Sequence, residues 1–144
     1  MRVMGIDFGE ARIGIALSDP TGLIATPKLV LAEKDKGRQI TRVIELVREY
    51  DVQKIVVGIP FHLDGEEGVM ATTAEKYAAK LERVSGLEVI RIDERLSSVE
   101  AERIMKMTRS KGRKKGLKQE LDMVAAAVIL QSYLDGTTFI ASSE

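Results

Sequence analysis

The sequence predicts an α/β protein built on one mixed sheet, and three patterns carry that prediction. Two short apolar runs, 3–8 and 13–17, open the chain and are joined by a glycine-containing turn, which is typical of an antiparallel hairpin. Further along, segments with the apolar spacing of amphipathic helices alternate with short apolar runs. Successive alanines at 125–127 would let the last helix lie close on the sheet.

Each element follows from its own local pattern. Small residues alternate with apolar ones in the second run, so one strand face would allow close approach. Ile40, Val43, Ile44 and Val47 have helical spacing, and the run 55–59, which Pro60 ends, indicates a strand buried on both faces. The predicted elements are strands at 3–8, 13–17 and 23–31, a helix around 40–47, a strand at 55–59, a loop at 61–68, a helix around 74–81, a strand at 87–92, a short helix at about 97–107 and a last helix at about 118–134.

Right-handed crossovers then give a five-stranded mixed sheet of order 3-2-1-4-5, with strand 2 antiparallel and helices flanking it. The 144 residues suit one domain, which we assign to 1–137, followed by a loosely held tail at 138–144. With no cysteine, disulfides and thiolate metal sites are excluded. We find no signal peptide and no membrane span, so we expect a cytoplasmic protein without a membrane partner.

Asp7 is the one charged residue of the first apolar run, where a carboxylate is costly unless a cation compensates it. The topology puts it at the C-terminal end of the central strand, the edge where α/β sheets usually bind ligands. Asp93 and Glu94 end the fifth strand at the same edge, and Asp122 begins the apolar part of the last helix. Such hard oxygen ligands suit Mg²⁺ or Mn²⁺, and two ions about 4 Å apart would support phosphodiester hydrolysis.

Each carboxylate also has a plainer interpretation. Asp7 could accept hydrogen bonds from the turn that follows it, Asp93 and Glu94 could belong to a surface ion-pair cluster, and Asp122 could favour the helix dipole. Because neighbouring strand residues point to opposite faces, only one of Asp93 and Glu94 can join Asp7. We prefer Glu94 and leave the choice open.

A basic segment at 106–118 precedes Asp122 and contains no acidic residue. Its cations are Lys106, Arg109, Lys111, Arg113, Lys114, Lys115 and Lys118. They could simply form a solvated loop. We favour contact with a nucleic-acid backbone, which such a segment would bind without reading its sequence. The net charge of zero, from 22 basic and 22 acidic residues, argues against a protein that only coats nucleic acid.

Four segments carry a family resemblance, GIDFGEARIGIALSD, IVVGIPFHLDG, DERLSSVEAE and LDMVAAAVILQSYLDG. They resemble the YqgF-type family of Holliday junction resolvase-like proteins, pre-16S ribosomal RNA nucleases, over about residues 3–136. The resemblance implies a ribonuclease H-like fold and an acidic triad of Asp7, Glu94 and Asp122, which would hold the metal ions and catalyse cleavage. It also marks Arg12 and Arg95 as motif positions, and we assign both to nucleic-acid binding.

Two loops depart from the family pattern. The turn at 9–12 reads Gly-Glu-Ala-Arg, where the family usually has Gly-Thr-Lys-Arg, so a lysine that could touch phosphate is replaced by Ala11. Phe-His-Leu at 61–63 replaces the commoner Leu-Asn-Met. Both changes bear on substrate contacts and leave the triad intact.

The leading functional hypothesis is a nuclease that uses Mg²⁺ or Mn²⁺, with two ions expected, and matures the 5′ end of small-subunit ribosomal RNA. Its substrate follows from the resemblance alone. A Holliday junction resolvase acting on branched DNA is the alternative, and two symmetric cuts would then require a two-fold dimer. A non-catalytic RNA-binding factor is a third hypothesis. We expect a monomer or a weak homodimer. The opening hairpin also resembles the phosphate hairpin of actin-like and sugar kinases, but those enzymes need two such domains.

Overall fold

The computed structural model describes residues 1–9, 11–59, 65–93 and 117–136, with residues 65–69 and 117–119 described by their backbone alone. Within these residues a five-stranded sheet carries helices on both faces. In chain order the elements are β1 (Arg2–Asp7), β2 (Ile13–Ser18), β3 (Ala25–Leu31), α1 (Lys36–Glu49), β4 (Val52–Ile59), α2 (Gly65–Ser85), β5 (Val89–Asp93) and α3 (Leu117–Leu134).

The strand order is β3-β2-β1-β4-β5. Strand β2 runs antiparallel to both of its neighbours, whereas β4 is parallel to β1 and β5 is parallel to β4. The predicted order and the antiparallel second strand are therefore confirmed. Strand β1 lies in the centre, and its last residue, Asp7, is paired in register with Gly14 on one side and Gly58 on the other.

The sheet separates two apolar clusters. On one face, Met4 and Ile6 of β1 pack with the inner sides of α1 and α2. On the other face, Val3 packs beneath α3 in a smaller cluster with Ala126 and Leu130. The alternation of strand side chains explains this division, because successive residues of β1 point to opposite faces.

Helix α3 packs directly against two glycines of the sheet, which leave room for its backbone. A Cβ on Gly5 would stand 2.8 Å from the Cβ of Leu130 and 2.9 Å from the carbonyl oxygen of Ala126. A Cβ on Gly14 would overlap the carbonyl group of Asp122. The predicted close approach at the small residues of the second strand is thus confirmed, and it fixes the backbone of α3 at Asp122.

The helices α1 and α2 follow the predicted periodicity. Asp35 caps α1, accepting a hydrogen bond from the amide of Arg38 at 3.1 Å. The apolar residues predicted for the inner face of α2, Ala74, Tyr77, Ala78 and Leu81, are all buried. Gly86, at a φ of +72°, follows α2, where a left-handed residue commonly terminates a helix.

Several boundaries differ from the predictions. The loop predicted to run through 68 is wrong for its last residues, because α2 already begins at Gly65. Glu66 and Glu67 stand in its first turn, where acidic residues favour a helix. Strand β4 begins three residues earlier than predicted, and β5 extends to Asp93.

The short helix predicted at 97–107 and the tail at 138–144 lie outside the described residues, so the domain division stays a prediction. Helix α3 agrees with the last predicted helix to within one residue. None of the helices in the described part of the chain is long and apolar enough to cross a membrane.

Candidate active site

Asp7 ends the central strand on the side of the sheet that α3 covers. Val3 and Gly5, which share its alternation, both lie against that helix. Asp7 itself is partly buried, whereas Ile6 before it is fully buried on the opposite face. The Asp7 carboxylate therefore lies at the end of β1, on the face of the sheet that packs against α3.

Asp122 reaches the same place from α3. It is the sixth residue of that helix, and the close approach at Gly14 holds its backbone against β2. A cavity of about 250 Å³ lies between the end of β1, the turn that follows it and α3. It is lined by Asp7, Gly9, Ala11, Arg12 and Asp122. The structure thus places two of the three predicted carboxylates on one cavity, although they lie 115 positions apart in the chain.

Arg12 forms an ion pair inside this cavity. Its Nε donates a hydrogen bond to Oδ2 of Asp122 at 2.5 Å, and the two side chains are 31% and 26% exposed. The plainer interpretation of Asp122 as a helix-dipole residue is not supported, since dipole effects fall off within the first turn and Glu120 is the acidic residue there. The assignment of Arg12 to nucleic-acid binding stays a prediction. To contact a phosphate, the Arg12 guanidinium would have to be shared with Asp122 or leave it.

The register of β5 bears on the choice between Asp93 and Glu94. Arg91 forms ion pairs with two residues of α2. Its Nε lies 3.1 Å from Oε1 of Glu75, and its Nη1 lies 3.5 Å from Oε2 of Glu82. Asp93, two residues on, shares this alternation and therefore belongs to the α2 face, opposite Asp7. Ile92 packs in the cluster under α3. Continued alternation would bring Glu94 to the side of Asp7, but Glu94 lies outside the described residues.

The remaining predicted site residues lie outside the side chains that the structure describes. Arg95, Arg113, Lys114 and Lys115 lie outside the described part of the chain. Lys118 is the second residue of α3, and its side chain is not described. Among the described residues, no group of three or more His, Cys, Asp or Glu side chains is arranged to hold a metal ion. A three-carboxylate site would need a ligand from outside them.

Lys36 adds a cation to the turn that follows β1, and sequence reasoning missed it. Its Nζ donates a hydrogen bond to the carbonyl oxygen of Gly9 at 3.3 Å and lies 5.0 Å from the centre of the Phe8 ring. This is the turn in which Ala11 replaces the family's usual lysine. No local signal links residues 9 and 36, because their contact depends on how α1 packs on the sheet.

Solved structures of two resolvases share this arrangement of elements. RuvC from Thermus thermophilus, described as in complex with a Holliday junction substrate, aligns with a TM-score of 0.63 and 20% identity over 98% of this chain and 99% of RuvC. The fowlpox virus resolvase, described as a complex with Holliday junction DNA, aligns with a TM-score of 0.53 and 11% identity over 94% and 98% of the two chains. The fold is therefore the predicted ribonuclease H-like fold of RuvC-type resolvases.

Sequence relatives narrow this class to a family. The family model described as "RuvX: Holliday junction resolvase" matches residues 1–136. A protein from Syntrophus aciditrophicus is 43% identical over 135 residues, covering 94% of this chain and 89% of the relative. One from Syntrophomonas wolfei is 42% identical over 137 residues, covering 94% and 95%. Both are named "Putative pre-16S rRNA nuclease". The chain belongs to the RuvX family, and the family resemblance predicted from its sequence is confirmed.

Proposed function

We propose that this protein is a metal-dependent nuclease that hydrolyses phosphodiester bonds and trims the 5′ end of pre-16S ribosomal RNA in the cytoplasm. The observation that carries the proposal is the cavity at the end of β1, which Asp7 and Asp122 line from separate elements. The names of the relatives support the substrate, and the family supports the reaction class.

The residues of the cavity fit a hard divalent cation. Asp7 and Asp122 line the cavity and could serve as metal ligands. Their carboxylate oxygens are the ligand type that Mg²⁺ and Mn²⁺ prefer. About 250 Å³ leaves room for an ion with bound water, since one water occupies about 30 Å³ of liquid volume. We assign the third ligand to Glu94. A bound pair of ions would activate water and stabilise the leaving oxygen.

The protein's own residues would position the substrate. Strand β1 and the Gly14 contact hold the two carboxylates on rigid elements, which keeps their separation fixed during cleavage. Arg12, Arg95 and the basic residues before α3 would bind phosphates around the cut, without reading base sequence. The partner is therefore a nucleic acid, and we expect the protein to act as a monomer or weak homodimer.

A four-way DNA junction is the second candidate substrate. The family description names Holliday junction resolvases, and the RuvC complex contains such a junction. The same carboxylates would cut either substrate, so the difference lies in the surface around the cavity and in the need for a two-fold dimer. A non-catalytic RNA-binding factor would bind RNA through the basic segment at 106–118 and lack cleavage.

Cleavage assays with both substrates test these alternatives. Purified protein is incubated with a precursor ribosomal RNA fragment and with a four-way junction, in Mn²⁺ and in EDTA. We expect the wild type to cleave the RNA in Mn²⁺ and not in EDTA. Asp7→Asn and Asp122→Asn should lower the cleavage rate by more than the roughly 10- to 100-fold that loss of an outer-shell partner of a metal site costs. Asp51→Asn is a matched control, because Asp51 is exposed in a turn at a φ of 52°, which asparagine also tolerates.

Each result assigns a function. Full activity in Asp7→Asn would contradict the proposed site, junction cleavage without RNA cleavage would favour the resolvase, and binding without cleavage would favour the RNA-binding factor. A second pair of variants decides the third ligand. Glu94→Gln should abolish cleavage and Asp93→Asn should retain it, since Asp93 belongs to the α2 face.

A further inference from the structure

The Arg12–Asp122 pair differs from an ordinary surface ion pair in its position. Both residues line the cavity that also contains Asp7. Their backbones are fixed relative to each other, because Gly14, two residues after Arg12, lies against the carbonyl group of Asp122. The contact joins a guanidinium N–H to a carboxylate oxygen and is therefore a charge-assisted hydrogen bond. The guanidinium is thus held at the carboxylate that the proposed function assigns to the metal.

A guanidinium and a divalent cation compete for such a carboxylate. The oxygen that accepts from Arg12 Nε has that lone-pair direction occupied, and two cations at neighbouring positions repel each other. Both side chains are roughly a quarter to a third exposed, so water and ions can reach the pair and Arg12 can turn away from it. The same exposure makes the pair weak enough to exchange.

We propose that Arg12 is an exchangeable counter-ion for Asp122, an inference that rests on the proposed function. Without metal, its guanidinium neutralises the carboxylate beside Asp7. Metal binding displaces it, and the released guanidinium then contacts a phosphate of the nucleic acid at the mouth of the cavity. Metal and nucleic acid are thereby coupled, and each raises the affinity of the protein for the other by the same factor.

Two other roles for Arg12 make different predictions. If Arg12 instead orients Asp122 for the metal, removing the guanidinium should weaken metal binding. If the pair is a surface contact without consequence, metal binding should not change. The counter-ion role predicts that a variant without the guanidinium binds the metal more tightly than the wild type. The metal affinity measured without nucleic acid therefore separates the three roles.

Manganese titration of the full chain provides that measurement, with the EPR signal reporting free Mn²⁺. We expect Arg12→Gln and Arg12→Met to bind Mn²⁺ about 5- to 10-fold more tightly than the wild type, the lower end of typical coupling because the pair is partly exposed. Arg12→Lys keeps the charge and should stay close to the wild type. Arg42→Gln is the matched control, because it breaks an exposed pair with Glu45 at 3.1 Å and removes the same charge away from the cavity.

Thermal unfolding gives an independent readout on the same variants. In EDTA, Arg12→Gln should unfold at a lower temperature than the wild type, since Asp122 then lacks its cation beside Asp7. Added Mn²⁺ should raise its unfolding temperature by more than it raises that of the wild type, because stabilisation grows with affinity.

Unchanged or weaker Mn²⁺ binding in both Arg12→Gln and Arg12→Met would overturn the inference. Failure of the proposed function looks different. In that case Mn²⁺ would not bind the wild type, or it would bind Asp7→Asn equally well. Binding that Asp7→Asn abolishes and the Arg12 variants leave unaltered would therefore refute the counter-ion role alone.

Discussion

Replacing Gly14 by alanine tests the contact that positions α3. A Cβ at this position would overlap the carbonyl group of Asp122 at less than the 3.0 Å that real Cβ atoms keep, and it would stand 3.0 Å from the amide nitrogen of Met123. Ordinary contact begins at 3.4 Å, so Met123 alone must retreat by about 0.4 Å. The obstacle is backbone, which no change of rotamer can relieve. Helix α3 must therefore move away from β2.

The size of this movement sets the expected effects. Overpacking of this kind costs about 1–3 kcal/mol, and we expect the upper end because backbone atoms collide. For a chain of this length, 3 kcal/mol lowers the unfolding temperature by roughly 6–12 °C. Relief at the Asp122 carbonyl takes a displacement on the order of 1 Å, and a misplacement of that size costs about a hundredfold in rate.

Calorimetry and the RNA cleavage assay measure the two effects. Gly86→Ala serves as the control, because Gly86 has a φ of +72° and nothing within 4 Å of an added Cβ. Its left-handed backbone should cost about 1–2 kcal/mol without moving any residue of the cavity. Gly14→Ala should thus lose both stability and cleavage, and Gly86→Ala should lose stability alone. Wild-type unfolding and cleavage in Gly14→Ala would refute the close approach of α3.

Two further predictions concern the β2–β3 turn and the basic segment. A side-chain hydrogen bond from Thr21, together with backbone amides, holds the pKa of Asp19 well below its usual value, so its ionised form stabilises the fold. The stabilisation by ionised Asp19 is complete above the unfolded carboxyl pKa of about 4 and is lost as the pH falls further. The difference in unfolding temperature between wild type and Asp19→Ala should therefore shrink below about pH 4. A difference that stays constant with pH would contradict this prediction. Alanine at 113–115 should weaken binding of all RNA sequences alike and reduce the slope of log affinity against log salt by about 0.7–0.9 for each lost phosphate contact, whereas an unchanged slope would indicate a solvated loop.

The sheet could be predicted because its elements depend on local patterns. Alternation in the first two strands predicts which side chains share a face of the sheet, and helical spacing at Ile40, Val43 and Val47 predicts the buried side of α1. Handedness rules then leave few ways to join strands and helices into a sheet. The predicted loop at 61–68 overlaps the start of α2 at Gly65, since acidic residues in a first turn are a weak signal of where a helix begins.

Part of the candidate site followed from the same reasoning. The end of the central strand at Asp7 and the small residues beneath α3 could be read from sequence, since both depend on strand position and side-chain size. The preference for Glu94 over Asp93 also came from alternation, and the register of β5 agrees with it as far as Asp93. The catalytic and metal-binding roles of Asp7, Glu94 and Asp122 stay predictions.

By itself, then, the sequence determined the order of the sheet, the position of Asp7 in it and the family to which the chain belongs. Only the tertiary structure decided the partners of the side chains around the cavity. Arg12 pairs with a residue 110 positions away, and Lys36 contacts a turn 27 positions before it. Periodicity reports which face of an element is buried, whereas a pair of charges depends on the distance between elements, which packing alone sets.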